Sequence, residues 1–82
     1  MDNKVENTKF PQYRRYKNGL NYFKILSPTE FEEIKLVGEK RIVMRVQAKQ
    51  YPEMVFVRDL LFNFREFAEE IGEEEYLGVA PH

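Results

Sequence analysis

The dipeptide Asn18-Gly19 constrains the fold of this chain more than any other short feature, because it lies between two strand-like segments, 12–17 and 20–26. Asn and Gly both tolerate the positive φ that a two-residue type I′ turn requires at its central positions. Counting outward from such a turn gives the cross-strand pairs Arg15 with Tyr22, Arg14 with Phe23, and Tyr13 with Lys24. The sequence therefore predicts an antiparallel hairpin in which three successive pairs set a cation opposite an aromatic ring.

The stretch around this turn, YRRYKNGLNYFK, combines four cations and four aromatic rings with no acidic side chain. Exposed rings could stack on bases while the cations neutralise phosphates, which makes weak single-stranded nucleic-acid binding one hypothesis. The cation and the ring of each pair can also interact with each other, which stabilises the hairpin by ~0.2–1 kcal/mol for each directly opposed pair. This internal interaction explains the composition without a ligand. We prefer the second explanation. The candidate nucleic-acid or partner face consists of Tyr13, Arg14, Arg15, Tyr16, Lys17, Tyr22, Phe23 and Lys24.

The next segment, 28–37, has two interpretations. Ser27-Pro28-Thr29-Glu30 fits a capping box that starts a helix, or a type I turn that leads into another strand. Strand-forming residues at 34–37 and a turn-like Gly38-Glu39-Lys40 favour the strand. The following RIVMRVQA alternates, which places Ile42, Met44, Val46 and Ala48 on one face. We predict a strand over 31–37, followed by a turn and another strand.

Beyond Tyr51-Pro52 the apolar period changes to that of a helix. The pattern consists of Val57, Leu60, Leu61, Phe64, Phe67 or Ala68, and Ile71. Pro52 suits a first helical turn and Gly72 suits a helix end. The pattern fits one helix over 53–71 or a break near Asn63 into a shorter helix and another strand, with a short final turn at 73–77. The predicted fold class is α+β, with about four antiparallel strands and one main amphipathic C-terminal helix packed on one face.

The short aromatic and aliphatic motifs of the chain resemble those of a group of small bacterial proteins of unknown function. The matching elements are YRRY, YFKI, FEEI, Gly38 and IGEEEY, within residues 12–77. In these proteins the segment before E-E-E-Y is more strand-like and ends in an aromatic-x-x-isoleucine pattern. Here Phe67-Ala68-Glu69-Glu70-Ile71 departs from that pattern by fitting a helix, which bears on the choice between one long helix and a helix followed by a strand. The resemblance implies no activity, ligand or site residue.

The length of 82 residues predicts one small domain, 11–80, after a disordered tail, 1–10. The net charge of −1 conceals an uneven distribution of charge along the chain. Eleven Lys and Arg against six Asp and Glu give +5 up to Tyr51, whereas two Arg against eight acids give −6 from Pro52 onward. Such a split indicates either a basic binding face or two regions of one fold that attract each other.

Side chains that could form a nucleophilic catalytic site are scarce in this sequence. Ser27 is the one serine, His82 is the one histidine and the last residue, and cysteine is absent, so no triad or thiolate site is expected. The four glycines are isolated, and the acids are nearly all Glu, which argues against a phosphate loop or a calcium loop. No apolar run reaches the length of a membrane span. We expect a cytoplasmic, non-enzymatic domain without metal or cofactor, which acts by protein–protein contact, including self-association.

Overall fold

The computed structural model of the protein describes residues 7–81. The elements follow the order β1 (Gln12–Tyr16), β2 (Asn21–Ser27), β3 (Glu30–Val37), β4 (Lys40–Gln47), α1 (Tyr51–Phe62), β5 (Ala68–Ile71) and α2 (Glu73–Val79). The strands form one antiparallel sheet in the order β4-β3-β2-β1-β5. The predicted α+β class is confirmed, with five strands instead of about four.

The first hairpin has the predicted register and a different turn. Arg15 pairs with Tyr22, Arg14 with Phe23 and Tyr13 with Lys24, as expected. Among residues 7–81 only glycines have positive φ, and Gly19 is one of them at 75°, so the predicted type I′ turn, which needs positive φ at Asn18 too, is wrong. The connection is a four-residue loop in which the Gly19 N–H donates to the Tyr16 carbonyl at 2.8 Å. A four-residue loop centred on Asn18-Gly19 gives the same register as a two-residue turn, which is why the pairing was still predicted correctly.

The segment after β2 turns and continues as a strand. The hydroxyl of Ser27 accepts the Thr29 N–H at 3.2 Å, and β3 then pairs with both β2 and β4. The strand prediction for 31–37 is confirmed, and the alternative of a helix started by a capping box is wrong here. Gly38, with φ of 61°, makes the turn into β4, because glycine adopts left-handed backbone conformations without steric cost.

The apolar pattern that began at Val57 belongs to two elements. Helix α1 starts one residue before Pro52, with Glu53 accepting the N–H groups of Lys49 and Gln50, and it ends at Phe62. Strand β5 follows and pairs with β1, so the alternative of a shorter helix and another strand is correct. Gly72 precedes α2 as its N-cap and does not close α1.

The sheet carries a helix on each face. Consecutive residues of a strand point to opposite faces, and Phe23 and Tyr22 of β2 lie in different cores. The core under α1 consists of Phe23, Ile25, Phe31, Ala48, Val57, Leu60 and Leu61. The core under α2 consists of Tyr13, Tyr22, Ile34 and Tyr76. The predicted main helix on one face is confirmed, and α2 covers the inner part of the other face.

Two further findings concern the ends of the chain and its helices. The predicted disordered tail, 1–10, lies outside the described residues over 1–6, whereas Phe10 packs against the core under α1. Among residues 7–81, the structure has no helix with the length and apolar character that crossing a membrane requires.

Candidate interaction surfaces

Arg14 is the one buried charged side chain among residues 7–81, with 2% of its surface exposed. Its Nε–H donates to the Leu60 carbonyl at 2.8 Å, and Nη2 donates to the Leu61 carbonyl at 3.4 Å. Nη1 donates to the Tyr13 carbonyl at 2.8 Å, and the guanidinium carbon lies 4.1 Å from the centre of the Phe64 ring. The side chain is therefore committed to internal contacts.

The contacts of Arg14 stabilise the end of α1. Carbonyls in the last turn of a helix have no intrahelical partner and carry partial negative charge. Two such carbonyls of α1 accept hydrogen bonds from the guanidinium. Burial lowers the pKa of Arg14, and the charge of Glu70 opposes that effect. An arginine remains protonated throughout the physiological range even so. A buried cation thus satisfies carbonyls at the end of α1.

Arg15 connects the basic hairpin to the acidic C-terminal region. One of its N–H groups donates to Glu69 on β5, and another donates to Glu75 on α2 at 2.6 Å. The hydrogen bond to Glu69 is the main reason that the pKa of Arg15 is raised. The two charged regions recognised in the sequence therefore meet within one chain.

The two tyrosines under α2 each donate to a glutamate. Tyr13 Oη donates to Glu73 at 3.1 Å, and Tyr76 Oη donates to Glu32 at 2.6 Å. The centres of the two rings are 5.3 Å apart. Burial, followed by these carboxylates, raises the pKa of both hydroxyls. The pair fastens α2 to the sheet as neutral phenols.

The eight residues of the candidate face do not share one exposed surface. Tyr13, Arg14, Tyr22 and Phe23 are buried, Arg15, Tyr16 and Lys24 are half-buried, and Lys17 is exposed. The three predicted cation–aromatic pairs have the expected register, but Arg14 stacks on Phe64 instead of Phe23. The physical reason is that both faces of the hairpin are covered, so its side chains pack against the C-terminal half of the chain.

The largest uncovered part of the sheet is β4, which we call the β4 edge and define as residues 40–47. It pairs with β3 on one side only. Its apolar side chains are unusually accessible, with 43% of Ile42, 43% of Val43 and 40% of Met44 exposed. The alternation predicted for Ile42, Met44, Val46 and Ala48 reaches the core only in its second half, where Val46 packs against the core under α1 and Ala48 is buried in it.

Residues 40–45 of the β4 edge are exposed on both faces of the sheet, because neither helix covers them. Val46 lies opposite Phe31, which belongs to the core under α1, and Val43 lies opposite Ile34, which belongs to the core under α2. Directly paired residues share a face, so Ile42 and Met44 lie on the α1 side and Val43 lies on the α2 side. An extended segment can therefore contact apolar side chains on both faces of this edge.

A second candidate site is a pocket between the hairpin loop and α1, which we call the aromatic pocket. Its volume is about 420 Å³, and it is lined by Tyr16, Asn18, Phe56, Asp59 and Phe67. The rings of Tyr16 and Phe67 have centres 5.9 Å apart and planes inclined by 77°. Burial is the main reason that the pKa of Tyr16 is raised.

Sequence reasoning did not find this pocket, because it assigned the whole aromatic and aliphatic stripe from Val57 to Ile71 to the core. Phe67 is part of that stripe and is only half-buried. Phe56 and Asp59 are three positions apart, a spacing that places two side chains on the same side of a helix. That spacing was a usable signal, but the position of Tyr16 above it depends on the tertiary fold.

No protein-family model, curated protein or solved structure matches this chain significantly. The resemblance to small bacterial proteins of unknown function therefore stays a prediction. The function has to be inferred from the β4 edge and the aromatic pocket.

Proposed function

We propose that this chain is a cytoplasmic, non-enzymatic interaction domain that binds an extended, acidic segment of another protein along the β4 edge. The observation that carries the proposal is that eight consecutive residues, Lys40–Gln47, form an edge strand with apolar side chains exposed on both faces. Soluble proteins usually shorten, cover or bulge such edges, because the unpaired N–H and C=O groups can accept another strand. Peptide recognition by strand addition uses these groups for affinity and the alternating side chains for specificity.

The charge of the edge supports an acidic partner. The strand contains Lys40, Arg41 and Arg45 and no acidic residue. Arg45 bonds to Glu30 at 2.8 Å, whereas none of the ion pairs among residues 7–81 involves Lys40 or Arg41. A partner with acidic and apolar residues in alternation would match these cations and the exposed aliphatic side chains.

The same charges disfavour one register of a symmetric dimer through two β4 edges. Antiparallel pairing about a two-fold axis at Val43 would set Arg41 of each copy opposite Arg45 of the other. Like charges directly opposite one another destabilise a strand pair. Self-association through β4 would therefore need another register, and the oligomeric state in solution is the measurement that reports it.

The experiment is a titration of the ¹⁵N-labelled protein with a synthetic peptide of alternating glutamate and valine, followed by amide chemical shifts. We expect saturable shifts at 40–47, lost when lysine replaces glutamate in the peptide. The double variant Lys40→Glu/Arg41→Glu should bind at least about tenfold more weakly, because charge complementarity at an interface suppresses mismatched partners. Lys49→Glu is the matched control, since it changes an exposed cation outside the strand and should leave binding within about twofold.

Two results would contradict this proposal. One is the absence of saturable shifts at 40–47 with the acidic peptide, and the other is unchanged binding by the double variant. Sedimentation of the protein alone should give a monomer. A concentration-dependent dimer with protected β4 amides would assign the edge to a second copy instead.

A further inference from the structure

We propose that the aromatic pocket binds the methylated head group of an organic ammonium ion. This site lies on β1, its following loop and α1, and two strands separate it from the β4 edge in the sheet. The inference is therefore independent of the proposed protein-binding function.

The arrangement of rings is the first argument. Tyr16 and Phe67 stand nearly perpendicular, at 77°, and Phe56 lines the same pocket. The ring of Phe23 contacts both Tyr16, at 4.9 Å between centres, and Phe56, at 5.8 Å, so it holds two walls in place. Three aromatic side chains therefore line one small volume, and aromatic rings attract cations through their π faces.

The second argument is the charge of the pocket. Asp59 brings a half-buried carboxylate to the wall formed by α1, and none of the ion pairs among residues 7–81 involves it. A neutral apolar ligand would remove water from this carboxylate without compensating it, which is costly. An anion would be repelled. A cation satisfies both the carboxylate and the rings.

The third argument is the kind of cation. A primary ammonium keeps three N–H groups that need hydrogen-bond acceptors, whereas three of the five side chains lining the pocket are aromatic. The Oδ1 of Asn18 already accepts the Leu20 N–H at 2.8 Å. A quaternary ammonium needs no acceptor and presents methyl groups to the rings. A volume of about 420 Å³ lies within the usual range for small-ligand sites and exceeds the size of such a head group.

The test is an amide-shift titration with choline chloride, against sodium chloride at equal ionic strength and against 3,3-dimethylbutan-1-ol, the uncharged shape analogue of choline. We expect saturable shifts at Asn18, Asp59 and Phe67 with a low-millimolar dissociation constant, because so few heavy atoms gain limited binding free energy. The uncharged alcohol should bind at least about tenfold more weakly, since it lacks the charge that the rings and the carboxylate attract.

Two variants test the walls of the pocket. Asp59→Asn keeps the shape and removes the charge, and Phe67→Leu removes one ring; each should weaken choline binding about fivefold or more. Glu66→Gln and Tyr51→Leu are the matched controls, because Glu66 and Tyr51 are exposed and do not line the pocket. Both controls should bind choline as the parent protein does.

The head group could belong to a protein or to a small molecule. Titrations with a trimethyllysine peptide and with its unmodified counterpart distinguish these two sources. Tighter binding of the trimethylated peptide than of choline assigns the head group to a protein, and equal binding assigns it to a small molecule. Shifts that stay linear up to about 100 mM choline, or equal affinity for choline and the uncharged alcohol, would overturn the inference. Equal affinity of the Asp59→Asn and Glu66→Gln proteins would overturn it as well.

Discussion

At the scale of single residues, the same side-chain types have different roles according to the elements that cover them. Arg14 and Arg15 are adjacent in a basic stretch, yet Arg14 is enclosed against the end of α1 and Arg15 bridges to Glu69 and Glu75. Local sequence predicts their facing partners across the hairpin, because that register follows from counting. It does not predict the acceptors that they reach in α1, β5 and α2, because these lie more than forty residues away along the chain.

The Arg14→Lys substitution should destabilise the protein by about 1–3 kcal/mol. Lysine keeps the charge but lacks the planar fork that donates to several carbonyls at once, so it leaves buried acceptors unsatisfied. Urea denaturation followed by circular dichroism measures the loss. Arg41→Lys is the matched control on an exposed strand and should change the free energy of unfolding by no more than ~0.5 kcal/mol. Equal midpoints for the two variants would show that the fork of Arg14 is dispensable.

At the scale of elements, the sequence predicts an element well where its local preference and its tertiary pairing agree. The first hairpin and β3 are such elements. Strand β5 is not, because Ala68-Glu69-Glu70-Ile71 continues the helical period of α1 and contains good helix formers. Its strand form follows from pairing with β1, and tertiary pairing routinely overrides weak propensity. The same pairing explains why the candidate face on the hairpin is divided between two cores.

The attachment of α2 should depend on pH in the alkaline range. The pKa of Tyr76 is raised in the folded protein by burial and by its bond to Glu32. Above pH ~10 the unfolded chain therefore loses this proton before the folded protein does. The stabilisation is complete below that pH and is lost as the pH rises further. Tyr13 acts in the same direction.

The Tyr76→Phe protein should be less stable than the parent at pH ~7 by about 1–2 kcal/mol, because Glu32 loses its donor, and its stability should fall less steeply above pH ~10. Thermal melts across this pH range measure both effects. Tyr51→Phe is the matched control, since Tyr51 is 78% exposed. A parallel alkaline decline in the Tyr76→Phe and parent proteins would refute the assignment.

At the scale of the whole molecule, the burial of the strands decreases from the centre of the sheet to the β4 edge. Strands β1 and β2 have cores on both faces, whereas β4 is exposed along most of its length. Local opening costs little free energy where few apolar contacts are lost. The molecule thus combines a rigid end, built by both halves of the chain, with an accessible edge.

Hydrogen exchange measured by mass spectrometry should follow this gradient. Peptides from 13–25 should exchange only through global unfolding, and peptides from 40–47 should exchange faster through local opening. Addition of the acidic peptide should slow exchange at 40–47 without changing 13–25. Uniform protection across all five strands would show that the β4 edge opens only with the rest of the domain.

The pairing of β1 with β5 also determines when this protein can fold during its synthesis. Strand β1 leaves the ribosome before the other four strands of the sheet, but its second neighbour begins only at Ala68. Until that strand emerges, Arg15 has neither of its carboxylate partners, and Tyr13 lacks the ring of Tyr76. Domains are completed as units during translation, so the nascent chain keeps one side of its first strand unpaired until most of the described residues have been made.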